Sequence, residues 1–104
     1  MNEFLALEEK IVTMLKTVYD PEIPVNVYDL GLIYELNIDD EQNVIIDMTL
    51  TAPSCPMADF IVEDVEQKVA SVEGVKSVKV NLVFEPEWDR SRMSEEALLE
   101  LGML

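Results

Sequence analysis

The sequence predicts a two-layer α+β domain, with two helices covering one face of a small three-stranded sheet. Three observations predict it. Apolar residues recur at helical spacing near the start of the chain and again after residue 56. Two alternating apolar/polar runs stand between these stretches, and a third follows the second of them. The resulting order is α-β-β-α-β-tail, which closes as one helix layer on one sheet. At 104 residues the chain fits a single domain, 1–104, with a core from about 3 to 84 and a tail from 85 to 104.

Each element has its own signal. From Glu3 to Val18, the residues Phe4, Leu7, Ile11, Leu15 and Val18 form a helical stripe, with Asn2 as the expected N-cap. Pro21 stops that helix by pushing Asp20 out of helical geometry, and a loop punctuated by Pro24 leads to Gly31. Gly31 suits a positive-φ turn or a close backbone approach. Leu32, Tyr34, Leu36 and Ile38 then alternate with polar residues, as do Val44, Ile46, Met48 and Leu50. The polar segment Asp39–Asn43 between them predicts an antiparallel hairpin with a solvated tip. Proline is favoured at a first helical position, so a second helix is expected from Pro56 to about Ser71, ending near Gly74. Its core stripe is Met57, Ile61, Val65 and Val69, widened by Phe60, Val62 and Val72. Val78, Val80, Leu82 and Phe84 mark the third strand. In the tail, Trp88 is expected to pack over the sheet edge, the alternative being a tail that swings out to grip a partner or cover Cys55. A short helix should follow Ser94, with Glu95 and Glu96 in its first turn and Gly102 as its stop.

Composition removes several functions. Twenty-two acidic residues against seven basic ones give a formal charge of −15, which repels phosphate backbones and anionic membrane surfaces. Neither nucleic acid nor a membrane is an expected partner. With no histidine, the chain cannot build Ser-His or Cys-His nucleophile activation. A Cys/His zinc site fails for the same reason, because Cys55 is the sole cysteine. That count also precludes an intrachain disulfide, which suits a reducing cytosol. No basic leader or long apolar run is visible in MNEFLALEEK, so a cytoplasmic protein is the expectation.

Two segments carry candidate chemistry. In Thr49–Met57, the second strand gives way to the second helix, which sets Cys55 at or beside a helix N-cap. Free N–H groups and the helix dipole there favour a thiolate, the form that attacks electrophiles and binds soft metals. Pro53 and Pro56 restrict the backbone on either side, while Asp59 one turn onward opposes the negative charge. Free cysteine is equally often a small buried hydrophobe. The second segment, Asp20–Gly31, gathers Asp20, Glu22 and Asp29 on one loop, where they either bind a hard cation or cap turns.

Three stretches together resemble the SufT/PaaD-like metal–sulfur cluster assembly family. They are Asp20-Pro21-Glu22 with Val25 and Tyr28–Tyr34, then Met48–Pro56, then Val80–Trp88 followed by Met93-Ser94. That family includes the eukaryotic cytosolic iron–sulfur targeting subunit and the N-terminal domain of some Mrp-type ATPases. The chain has no P-loop and lacks the extra C-terminal cysteines of the PaaD branch, leaving a stand-alone SufT-like form. The resemblance implies an α+β fold with a small mixed sheet and a role in iron–sulfur cluster maturation. It sets the family's reactive cysteine on Cys55, in a loop shared with Thr51, Pro53 and Pro56. Its acidic signature falls on Asp20, Glu22 and Asp29. The implied partners are iron–sulfur assembly proteins and apo client enzymes.

Stoichiometry limits the mechanism. An iron–sulfur cluster is usually held by a full set of thiolates, of which one chain supplies one and a homodimer two. Transient contact with iron or a cluster through Cys55, or targeting of clients without holding the cluster, therefore fits better than permanent storage. The resulting expectation is an accessory factor and not an enzyme. A non-metal interaction adaptor with an acidic docking surface is the competing reading. A cysteine-nucleophile enzyme would have only carboxylates to serve as its base.

Overall fold

The computed structural model describes residues 3–20, 23–51 and 58–102, with side chains from residue 6 onward. Helix α1 spans Glu3–Leu15 and buries Leu7, Ile11 and Leu15, three positions of the expected stripe. It ends three residues before Val18. The amides of Thr17 and Val18 donate to the carbonyls of Met14 and Leu15, at 2.9 and 3.2 Å, so the last turn tightens to i→i+3 bonding. Val18 still reaches the core, and its carbonyl accepts the Val27 amide at 2.8 Å. The expected cap Asn2, the Phe4 side chain and the stop Pro21 lie outside the described residues.

Strands β1 (Ile33–Ile38) and β2 (Asn43–Met48) form the antiparallel hairpin, with Leu36 opposite Ile46 and an irregularity between Ile33 and Glu35. Asp39 builds its tip. One carboxylate oxygen accepts the Glu41 and Asn43 amides, both at 2.9 Å, and the other accepts the Asn43 side chain at 3.0 Å. The hydrogen bonds from Asn43 hold the Asp39 carboxyl below the ordinary aspartate range. Leu32 precedes β1 by one residue, yet its carbonyl still accepts the Thr49 amide at 2.8 Å.

Helix α2 is described over Ala58–Ala70, so its expected start at Pro56 and its core residue Met57 lie outside the described residues. It buries Ile61, Val65 and Val69, and Gly74 follows at φ +101°. Strand β3 (Ser77–Leu82) then pairs in parallel with β2, giving the order β1-β2-β3 and a mixed sheet. A helical crossover is what allows parallel pairing of consecutive strands. Val44, Ile46 and Met48 of central β2 are essentially inaccessible and share one core with both helices.

Two expected core positions are corrected. Phe60 is 64% exposed, because the buried stripe Ile61-Val65-Val69 leaves residue 60 on nearly the opposite side of α2. Phe84 is 39% exposed, because β3 ends at Leu82 and the alternation ends with it.

The tail is bound to the body. After a 3-10 turn at Arg90–Arg92, helix α3 (Glu95–Glu100) begins at Ser94, whose hydroxyl accepts the Ala97 amide at 3.1 Å. Met93 and Ala97 are buried with the core. Gly31 serves both expected purposes. Its φ is +79°, and a Cβ there would stand 2.8 Å from the carbonyl carbon and the Cβ of Arg92. Among the described residues, no helix is long and apolar enough to cross a membrane.

Candidate functional site

Chemistry in this chain concentrates where β2 runs out. Thr49 and Leu50 are buried, and Thr51 is the last described residue before the segment that carries Cys55. The Thr51 hydroxyl donates to one oxygen of the buried Asp20 carboxylate at 3.5 Å, a long bond, while the other oxygen accepts the Ile23 amide at 3.0 Å. Asp20 thus caps its own loop and reaches the residue that opens the cysteine segment. Cys55, Pro53 and Pro56 lie outside the described residues, as does Glu22.

Asp29 has a different task. Its carboxylate accepts the Asn26 side-chain amide at 2.8 Å and the Ser94 hydroxyl at 3.1 Å. Its own amide donates to Asn26 Oδ1 at 2.8 Å, and its carbonyl accepts the Ser94 amide at 2.8 Å. These bonds make Asp29 a turn cap and the point where loop and tail are joined, as turn capping predicts. No group of three or more Cys, Asp or Glu poised for a metal occurs among the described residues.

Sequence reasoning missed the walls of this region. A cleft of about 500 Å³ opens beside Thr51, lined by Ile23, Trp88, Arg90 and Met93 among others. A smaller one of about 130 Å³ shares Thr51 and Trp88 and adds Phe84 and Glu87. Trp88 packs partly buried against the core, and its indole N–H donates to the Leu30 carbonyl at 2.6 Å, which fixes the ring between the two clefts. Packing is therefore the observed state of Trp88. Arg90 brings a guanidinium to the larger cleft, and no described carboxylate pairs with it. Its neighbour Asp89 is engaged elsewhere, accepting the Ser91 hydroxyl and the Ser91 amide (2.6 Å), bonds that hold its carboxyl below the usual aspartate range. The available sequence signal was that both arginines of the chain fall within three residues.

Comparison with known proteins matches residues 8–82 to the model of a family described as iron–sulfur cluster assembly protein. The chain is 67% identical over 103 residues to the Fe-S protein maturation auxiliary factor of Porphyromonas gingivalis, covering 99% of this chain and 98% of that protein. It is 40% identical to the Fe-S protein maturation auxiliary factor YitW of Bacillus subtilis, covering 94% and 96% respectively. Among solved structures, a domain of unknown function (DUF59) from Bacillus anthracis superposes with a TM-score of 0.87 at 40% identity, over 96% of this chain and 95% of that one.

Proposed function

This chain belongs to the iron–sulfur cluster assembly protein family, in its SufT-like form, and serves the maturation of iron–sulfur proteins; we propose that it does so as an accessory factor making transient contact through Cys55. The cluster, or its iron, is cargo. One thiolate per chain is too few to keep a cluster, so Cys55 acts as one exchangeable ligand while the client or another assembly protein supplies the rest. The setting is cytoplasmic, where a lone thiol stays reduced.

The observation that carries this reading is the match of residues 8–82 to the iron–sulfur cluster assembly family in a chain with a single cysteine. Thr51, just past β2, leads into the cysteine segment with its hydroxyl 3.5 Å from the buried Asp20 carboxylate, and α2 is described from Ala58 onward. Thr51, Pro53 and Pro56 serve to position Cys55 for that exchange. Asp20 acts through Thr51, whereas Asp29 acts by holding the tail that walls the neighbouring cleft.

The test replaces Cys55 with Ala in cells and measures client iron–sulfur enzyme activity. Loss of client maturation with normal levels of folded protein is the expected result, and full maturation would overturn the role of Cys55. A parallel pull-down with Cys55→Ser, beside anaerobic iron and sulfide reconstitution, separates this mechanism from a pure adaptor. An adaptor keeps its partners and binds no iron in either form.

A further inference from the structure

One edge of the sheet, that of β3, is regular and has no neighbour among the described strands. Val83, just past the strand, donates its amide to the Met48 carbonyl at 2.8 Å. Backbone groups alternate sides along a strand, so the odd-numbered residues of β3 bond to β2. Val78, Val80 and Leu82 therefore turn their N–H and C=O groups outward, where no described strand meets them. Pairing with β2 runs without a break from Ser77 to Leu82. The other edge strand, β1, is irregular between Ile33 and Glu35, a device that discourages edge pairing. Val78, Val80 and Leu82 are only partly buried, whereas Val44, Ile46 and Met48 beside them are inaccessible. The core is thus incompletely covered along the same edge.

We propose that two copies of this chain pair antiparallel through β3, joining their sheets about a two-fold axis at Val80. The register follows from the residues. Facing residues must lie on one side of the sheet, or apolar side chains would meet polar ones. An axis at Lys79 meets that condition but sets Lys79 against itself, and like charges directly opposite are destabilising. An axis at Val80 sets Val80 against Val80, Val78 against Leu82, and Lys79 against Asn81 of the second copy. Val78, Val80 and Leu82 then exchange all their outward N–H and C=O groups as antiparallel hydrogen-bonded pairs. Lys79 also enters a row with Asp47 of the second copy, whose carboxylate accepts the Asn81 side chain at 3.0 Å. Axes further along the strand leave a shorter overlap. Because the edge complements itself in this register, a second copy is the occupant it fits. The axis reverses β3, so the two β2 strands finish at opposite ends of the joined sheet and lead to separate cysteine segments. Each copy carries −15, so the pairing depends on salt to screen their repulsion.

The test is sedimentation equilibrium of the full chain over about a hundredfold range of concentration, at low and high salt. A reductant keeps Cys55 from cross-linking two chains. A monomer–dimer equilibrium that tightens with salt is expected. In a mixture of labelled and unlabelled chain, isotope-filtered NMR should place the Lys79 Hα beside the Asn81 Hα of the second copy. Facing residues that do not hydrogen-bond to each other come closest, which makes this contact the signature of the register. Val80→Pro removes the N–H on the axis without breaking a bond to β2, and should weaken association at least about tenfold. Lys79 is exposed, so Lys79→Glu leaves the fold intact and should also weaken pairing. Lys10→Glu, the same charge change on α1, should do so much less. A chain that stays monomeric throughout, as one that takes a different protein's strand would, overturns the proposal. So does association that Lys79→Glu and a cooperatively unfolding Val80→Pro both leave unchanged, or a contact of Lys79 with Lys79. The readout needs no cluster chemistry, so it stands or falls apart from the role of Cys55.

Discussion

Gly31→Ala tests whether the tail is held by close backbone approach. The new methyl meets two costs. A φ of +79° is left-handed, which disfavours any L side chain by roughly 1–2 kcal/mol. The Cβ would also stand 2.8 Å from the Arg92 carbonyl carbon, and backbone cannot rotate away as a side-chain end can. Overpacking of this kind costs about 1–3 kcal/mol. The smaller conformational freedom of Ala in the unfolded chain returns about 0.4–1 kcal/mol. The net expectation is a loss of about 2–4 kcal/mol, a large part of the roughly 5–15 kcal/mol that stabilises a domain. Urea unfolding followed by far-UV circular dichroism measures it. Relief comes most readily by lifting the tail, so Trp88, the chain's one tryptophan, should lose its bond to Leu30 and emit further to the red before any denaturant is added. A loss below about 0.5 kcal/mol with unmoved Trp88 emission would refute the account.

Other consequences follow from the same geometry. Ser94→Ala removes a helix cap and a bond to Asp29, and should cost about 1–2 kcal/mol; a double-mutant cycle with Asp29→Ala should show coupling above about 0.5 kcal/mol. Ile46→Ala, at a fully buried position of the central strand, should cost about 2–5 kcal/mol by chemical denaturation. Asp39 and Asp89 both titrate lower folded than unfolded, so their contribution is complete above pH ~4 and is lost as pH falls through the lowered folded values. Asp39→Asn with Asp89→Asn should therefore lower stability at neutral pH and flatten its further loss below pH ~4, so that variant and parent converge in acid.

Periodicity exposes what is local, and that made most of the fold legible. The α1 stripe, the hairpin, the Ser94 cap and the positive-φ turn at Gly31 each rest on neighbours within a few residues, whereas the Arg92 backbone that crowds Gly31 comes from the tail. The tail's attachments do not. Trp88 to Leu30, Ser94 to Asp29 and Tyr34 to Pro86 span 58, 65 and 52 residues, and such bonds leave no repeating pattern. Phe60 was misread for a related reason. Hydrophobicity placed it in the core, but the helix phase fixed by Ile61, Val65 and Val69 turned it outward. In the acidic loop, the residue types allow either a cation site or turn caps; of the bonds seen at Asp29, the one from Ser94 comes from 65 positions away and leaves no local pattern.

The bonds that fasten the tail have an evolutionary consequence. The Trp88 indole ends on the carbonyl of Leu30, the Ser94 amide on that of Asp29, and the Tyr34 hydroxyl on that of Pro86. A carbonyl is present whatever side chain the residue carries. Residue 30 can therefore drift among apolar types without releasing the anchor. The donors Trp88 and Tyr34 have no such latitude. Mutational tolerance along this strap should be lopsided, wider at Leu30 than at the side-chain donors Trp88 and Tyr34.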